Sequence, residues 1–220
     1  MFDALFTTTT EYKKLSHALS GKGACALFGL PASGRAQVYA ALCRQLDKPL
    51  CIVTPGEAEA TRFAADLNTL GIPAAVFPAR DYVLRPIEGT AREYEYRRLA
   101  VLGELVGGRL RAVAVPAEAL TQFTTPKEDF CANTRTLHAG DTLLRDDLLA
   151  ALFGAGYTRR AQVDGPGQFS VRGDIVDIFA PDQKMPVRME FWGDEIDTLH
   201  TFDLTTQRRE DAIDKFYLSP

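Results

Sequence analysis

Short apolar runs and helically spaced apolar positions alternate through the first 120 residues of the chain. Residues 24–28 form an apolar run that ends at Gly29. Residues 35–46 follow with Val38, Leu42 and Leu46 at helical spacing, and residues 50–54 are rich enough in β-formers to predict a buried strand. A second helix is predicted over 57–70 from Phe63, Leu67 and Leu70, with Gly71 as its C-terminal cap. A third strand falls at 74–77 and the longest helical pattern at 91–106, carrying Leu99, Leu102 and Val106. A fourth strand falls at 112–115, and residues 116–120 begin a short helix with proline at its first position. Strand and helix alternating at this spacing predict an α/β unit, a parallel sheet with helices on both faces. An all-helical bundle leaves the runs at 50–53 and 112–115 without a role.

The pattern changes after about residue 125. Residues 133–138 read as a strand, and 144–153 as an amphipathic helix ended by Gly154 and Gly156. Three β-like runs follow at 169–179, 186–192 and 195–202, with turn chemistry at 180–185 and at Gly193–Asp194. This is a small α+β domain built on an antiparallel meander. The polar, proline-containing stretch TTPKED marks the boundary, dividing the chain into 1–125 and 126–220.

Composition narrows the class of function. The chain has 220 residues, 46% hydrophobic and 25% charged, as in ordinary globular proteins. A net charge of −4 argues against a free-standing nucleic-acid binder. Cys25, Cys43, Cys51 and Cys131 show no C-x-x-C spacing, and His17, His138 and His200 are far apart, so no zinc site is expected. Cys25 and Cys51 lie in apolar runs and are expected to be buried, reduced thiols. The start of the chain lacks the features of a signal peptide, and no apolar stretch has membrane-spanning length, so a cytoplasmic protein without membrane contact is expected.

One motif bears on catalysis. GLPASGRA places Gly29 and Gly34 where a phosphate loop needs glycines, but Arg35 stands at the lysine position and Ala36 at the Ser/Thr position. Loop amides can attract an anion, yet Ala36 has no hydroxyl for Mg²⁺, and a guanidinium does not replace a compact ammonium. VAVP at 113–116 carries no carboxylate for a metal. The losses favour a tight turn over a nucleotide site, and neither metal nor cofactor is expected in this chain. A second motif interleaves Arg80, Arg85, Arg92, Arg97 and Arg98 with Tyr82, Tyr94 and Tyr96, as single-strand nucleic-acid binders do. Asp81, Glu88, Glu93 and Glu95 nearly balance it, so weak DNA contact and a solvated helix face are both compatible with it.

A third feature points to protein contact. Val187, Met189 and Phe191 alternate with Arg188, Glu190 and Trp192, so period two buries the first set and turns the second outward. On the preceding run, Ser170, Arg172 and Asp174 are out of phase with Phe169 and Val171. Gly173 there allows a bulge or a close backbone approach. Ile175, Val176, Ile178 and Phe179 predict an end buried on both faces. If residues 180–185 close a hairpin, Arg172 lies near Trp192 across the ladder, with Arg188 further along the same face. The only tryptophan of the chain would then sit with two arginines, residue types enriched at interface hot spots. The alternative packs Trp192 beneath the domain's helix and leaves the arginines in surface ion pairs with Glu190 and Asp174.

FSVRGDIVDIFAP, PVRMEFWGDEIDTLHTFDLTTQR, YLSP and GAGYTRRAQVDGPGQF together resemble domain 2 of the family shared by UvrB and the transcription-repair coupling factor Mfd. The upstream half is similar to the RecA-like, P-loop-type domain 1A of that family. The altered phosphate loop resembles the Mfd branch. So does the short distance from Tyr82 to the next helix, about ten residues, too few for the DNA-gripping hairpin of UvrB. The resemblance implies that domain 2 binds UvrA. Arg172 matches the family's contact arginine in R-G, Arg188 the arginine opening R-x-E-F, and Trp192 an aromatic position where relatives usually carry Phe. It further implies an N-terminal, non-catalytic fragment. The RNA-polymerase-binding domain and the DNA translocase that uses ATP and Mg would lie elsewhere in the parent protein. A helicase-like ATPase and a DNA-binding module remain the competing readings.

Overall fold

The chain divides into two compact units: Met1–Tyr82 with Glu104–Gln122, and Val83–Gly103 with Phe123–Pro220. The computed structural model describes residues 7–21, 24–46, 48–80 and 91–220, with the side chains of 91–93 outside that description. Tyr82 and Arg85 lie outside the described residues, as does the side chain of Arg92.

The first unit contains α1 (Thr10–Ser20), α2 (Ala32–Gln45), β1 (Leu50–Thr54), α3 (Glu57–Thr69) and β2 (Ala74–Val76). The end of α4 (Ala91–Val106), then β3 (Ala112–Pro116) and α5 (Ala117–Leu120), complete it. The three strands are parallel in the order β1-β3-β2, with Ile52 opposite Ala114 and Ala75 opposite Val113. Small residues let the helices lie close to the sheet. Ala36 and Ala40 of α2 and Phe63, Ala64 and Leu67 of α3 share one core with Ile52, Ala112 and Ala114. As expected, Gly71 ends α3 in the left-handed region (φ 75). Its N–H donates to the Asn68 carbonyl (3.0 Å) and that of Ile72 to Leu67 (2.9 Å), a Schellman motif. Arg111 donates to the carbonyls of Cys43 (2.7 Å) and Leu46 (2.5 Å), satisfying acceptors that the end of α2 leaves open.

Three expectations are corrected here. Residues 24–28 form no strand. An apolar run becomes a strand only where a neighbour completes its ladder, and these residues have none, leaving Phe28 88% exposed. Helical cover on both faces fails at β1, an edge strand on which Cys51 and Val53 are exposed. The thiol expectation falls with it. Cys25 and Cys51 are exposed, and it is Cys43 that is buried, where desolvation pushes its thiol up.

The second unit adds α6 (Lys127–Asn133), β4 (Arg135–His138), α7 (Arg145–Gly154), β5 (Thr158–Arg159), β6 (Gln168–Arg172), β7 (Ile175–Phe179), β8 (Val187–Trp192), β9 (Glu195–Phe202), β10 (Arg209–Ala212) and β11 (Lys215–Leu218). Six strands form one sheet in the order β10-β9-β8-β7-β6-β5, antiparallel except at β5–β6, and β11 pairs with β4. The expected meander with its helix is therefore present. Leu148 and Leu152 of α7 share a core with Phe169, Val176, Ile178, Val187, Met189 and Phe191. The phenol of Tyr157 donates to the Ser219 carbonyl (2.7 Å), and Ser219 in turn donates to Asp182 (2.6 Å). Burial pushes the Tyr157 phenol well above its ordinary range.

Among the described residues of the interleaved Arg–Tyr segment, Arg98 and Tyr96 are taken up by packing. Arg98 is only 7% exposed and reaches the Phe123 carbonyl (3.5 Å). The ring of Tyr96 fills the space that a side chain at Gly167 would need, and Gly167 itself adopts φ 71, so glycine is required twice over. Arg97 lies over Tyr94 at 5.7 Å. Among the described residues, no helix is long and apolar enough to cross a membrane.

Candidate protein-docking surface

The six-stranded sheet has an inner face on α7 and an outer face, and the local sequence decides which residues go where. In β8, Val187, Met189 and Phe191 are buried while Arg188 and Glu190 are half-buried and Trp192 is 82% exposed, as period two predicts. Trp192 therefore does not pack beneath the helix.

The run read as 169–179 is two strands. Gly173 (φ 61) and Asp174 form a two-residue turn that returns the chain, so that Arg172 pairs with Ile175 and Ser170 with Asp177. Gly193 (φ 62) and Asp194 make the same kind of turn between β8 and β9, where Trp192 pairs with Glu195. A left-handed glycine first in a two-residue loop matches the twist of the strands it joins. The Gly-Asp dipeptide was recognised at 193–194 and missed at 173–174, although the signal is identical.

This topology corrects the expected cross-strand neighbourhood. β7 lies between β6 and β8, so Arg172 does not face Trp192 across a ladder. The two residues instead each end a strand before a Gly-Asp turn. The register Ser170–Asp177–Arg188–His200 runs as one row across four strands, and Arg172–Ile175–Glu190–Thr198 as the next. Beyond Glu190 the register shifts by one on β9, leaving Asp197 as the extra residue of a bulge.

Asp177 is the centre of the first row, and sequence reasoning passed over it as one polar residue in an apolar run. It is 0% exposed. Its Oδ1 accepts from Nε of Arg188 (2.7 Å), and its Oδ2 from Nη2 of Arg188 (2.9 Å) and Nη2 of Arg172 (2.7 Å). The Arg188 fork is thus bidentate, the strongest geometry for such a pair. Nη1 of Arg188 donates to the Gln207 carbonyl (3.2 Å), and its guanidinium lies 4.9 Å from the centre of the Phe202 ring. The hydrogen bonds to Asp177 raise the Arg188 pKa above its ordinary value. The expected surface pairs to Glu190 and Asp174 are taken by other residues. Arg209 pairs with Glu190, and Arg145 at the start of α7 bonds Asp174 (3.2 Å) and the Gly173 carbonyl (2.8 Å).

The outer face grades from dry to open. At one end Phe179, Phe202 and Val163 form a small cluster of their own, so that end of β7 is buried on both faces as expected. At the other end stand Trp192 and Arg172, whose side chain is 47% exposed, while Arg188, nearer the dry end, is 11% exposed.

The phosphate-loop residues sit elsewhere, in the first unit. Gly29 turns the chain at φ 81, but α2 already begins at Ala32, so Gly34 lies inside its first turn and the Arg35 N–H donates to the Pro31 carbonyl (3.0 Å). Arg35 lies 5.6 Å over the Phe63 ring and 3.8 Å from Glu59 of α3. The Ala36 methyl is 2% exposed within the core, a position where a hydroxyl would displace packing. The strand expected before this loop is absent, so the strand-to-helix turn is only a turn into a helix.

The outer face of the second unit thus carries a buried arginine–carboxylate pair and, at the open end of the sheet, an exposed tryptophan. Residues 136–220 match the UvrB interaction domain. The chain is 38% identical over 192 residues to a transcription-repair-coupling factor of Mycobacterium bovis, covering 84% of this chain and 15% of that protein. It is 34% identical over 203 residues to the corresponding factor of Myxococcus xanthus (87% and 17%) and 28% identical over 196 residues to that of Bacillus subtilis (88% and 17%). Most of the chain is thus similar to part of the transcription-repair-coupling factors, and it spans 15–17% of the length of these relatives.

Proposed function

We propose that this chain recruits UvrA in transcription-coupled nucleotide excision repair, through the outer face that carries Arg172, Arg188 and Trp192. The observation that supports this most directly is Trp192, held 82% exposed at the end of a strand in a domain of the UvrB interaction type. A large exposed aromatic and an exposed arginine on one sheet face have the composition of a hot spot. The first unit serves as a non-catalytic, RecA-like scaffold. Arg35 lying over the Phe63 ring, the buried Ala36 and a helix that starts before Gly34 support a loop that closes a turn and binds no Mg-nucleotide. Polymerase contact, DNA translocation and the use of ATP and Mg belong to other parts of the parent protein, which acts in the cytoplasm.

The test is a titration with UvrA of the same organism. The Arg172→Ala, Arg188→Ala double variant is expected to lose at least about 2 kcal/mol of binding, typical of hot-spot arginines. Undiminished affinity would sink the assignment. Thermal melting supplies the second check. Millimolar ATP with Mg²⁺ is expected to leave the melting temperature unchanged, whereas a clear rise would favour a nucleotide-binding enzyme.

A further inference from the structure

We propose that Asp177 is a positioning residue of the docking surface: it locks Arg188, and with it Arg172, so that the exposed Arg172 guanidinium is presented on the outer face to an acidic side chain of the partner. The inference rests on the docking reading above. It starts from a carboxylate that is 0% exposed yet lies on the outer face of the sheet. Both of its oxygens are used by the two arginines. Arg188 is held from further sides, by the Gln207 carbonyl and the Phe202 ring. Gln207 in its turn sits at φ 58, in a loop organised by Asp203, which accepts from the N–H groups of Thr205 (3.1 Å) and Thr206 (2.7 Å). The block FDLTTQR thus forms a brace behind Arg188.

The physical consequence is pre-organisation. An arginine loses substantial rotamer freedom when a partner immobilises it. Here that ordering occurs on folding, because Asp177 holds Nη2 of Arg172 while 47% of the side chain stays exposed. Charge selects the partner group. Two guanidiniums on one carboxylate leave one net positive charge, and Glu190 is occupied by Arg209. An acidic side chain completes the set, and a basic one is repelled.

Asp177→Asn tests the proposal, since it keeps the shape and removes the charge. UvrA affinity is expected to fall about tenfold. In an Arg172→Ala background the same change is expected to cost less than about threefold, because its effect runs through Arg172. Val187→Ala, on the inner face, gives a comparably destabilised control that should keep wild-type affinity. In the protein without partner, the Arg188 Nε–H NMR signal is expected to exchange slowly and to lose that protection in Asp177→Asn. Asp177→Glu, which keeps the charge and displaces the fork, should give the same dependence on Arg172 if Asp177→Asn does not fold. Unchanged affinity, or an equal loss with and without Arg172, would overturn the positioning role. If the unsubstituted protein does not bind UvrA, the docking reading itself fails, and the Nε–H signal alone then decides whether Asp177 holds the arginine.

Discussion

Asp177→Ala is expected to lower the unfolding free energy of the second unit by about 3 kcal/mol, measured by urea denaturation followed by circular dichroism. The magnitude comes from what is left behind. Arg188 is 11% exposed and has two of its nitrogens on the Asp177 carboxylate. Removing the carboxylate leaves a largely buried guanidinium with only the Gln207 carbonyl and the Phe202 ring. An uncompensated charge of this kind typically costs 3–5 kcal/mol. The lower end applies because Arg172 is half-exposed and can turn to water. A change below about 1 kcal/mol would show that the cluster contributes little to the fold.

Trp192→Ala is expected to give the opposite pattern. With the side chain 82% exposed, the folded state loses almost no packing, so unfolding should shift by less than about 0.5 kcal/mol. Binding to UvrA is expected to weaken by about 3 kcal/mol, roughly two orders of magnitude, as for a central aromatic anchor. The two variants separate the surface into a part that docks and a part that holds. Trp192→Phe, which keeps an aromatic ring at the position, should recover most of the affinity. If Trp192→Ala binds as tightly as the unsubstituted protein, the open end of the sheet is not the contact.

How much of the site was legible depended on the range of the physics involved. The outward phase of Arg188, Glu190 and Trp192 follows from strand alternation, which is local, and it appears in the structure as read. The helix ends at Gly71 and Gly156 were legible for the same reason. A left-handed residue after the last turn satisfies two carbonyls, and glycine adopts it without strain. Asp177 was not legible. Its face depends on the hairpin at Gly173–Asp174, and its burial depends on side chains from β6, β8 and the loop after β9 arriving above it. The turn signal was in the sequence, but an apolar run on either side of it concealed the reversal.

The first unit shows the converse. Residues 24–28 have the composition of a strand and do not form one, since apolarity provides no ladder partner. The segment of interleaved Arg and Tyr has the composition of a nucleic-acid groove. Arg98 is nevertheless buried and reaches the Phe123 carbonyl, and Tyr96 lies against Gly167.

The amino-acid sequence alone determined most of the helices and strands, the alternation that turns Trp192 outward, the loss of the lysine and hydroxyl from the phosphate loop, and the family resemblance. Each of these is set by neighbours within a few residues or by residue identity itself. Only the tertiary structure decided that Arg172 and Arg188 converge on one buried carboxylate, and that Trp192 stands open at the end of the sheet. Those facts depend on strand order and register, which place residues far apart in the chain within hydrogen-bonding distance and fix which charges leave water.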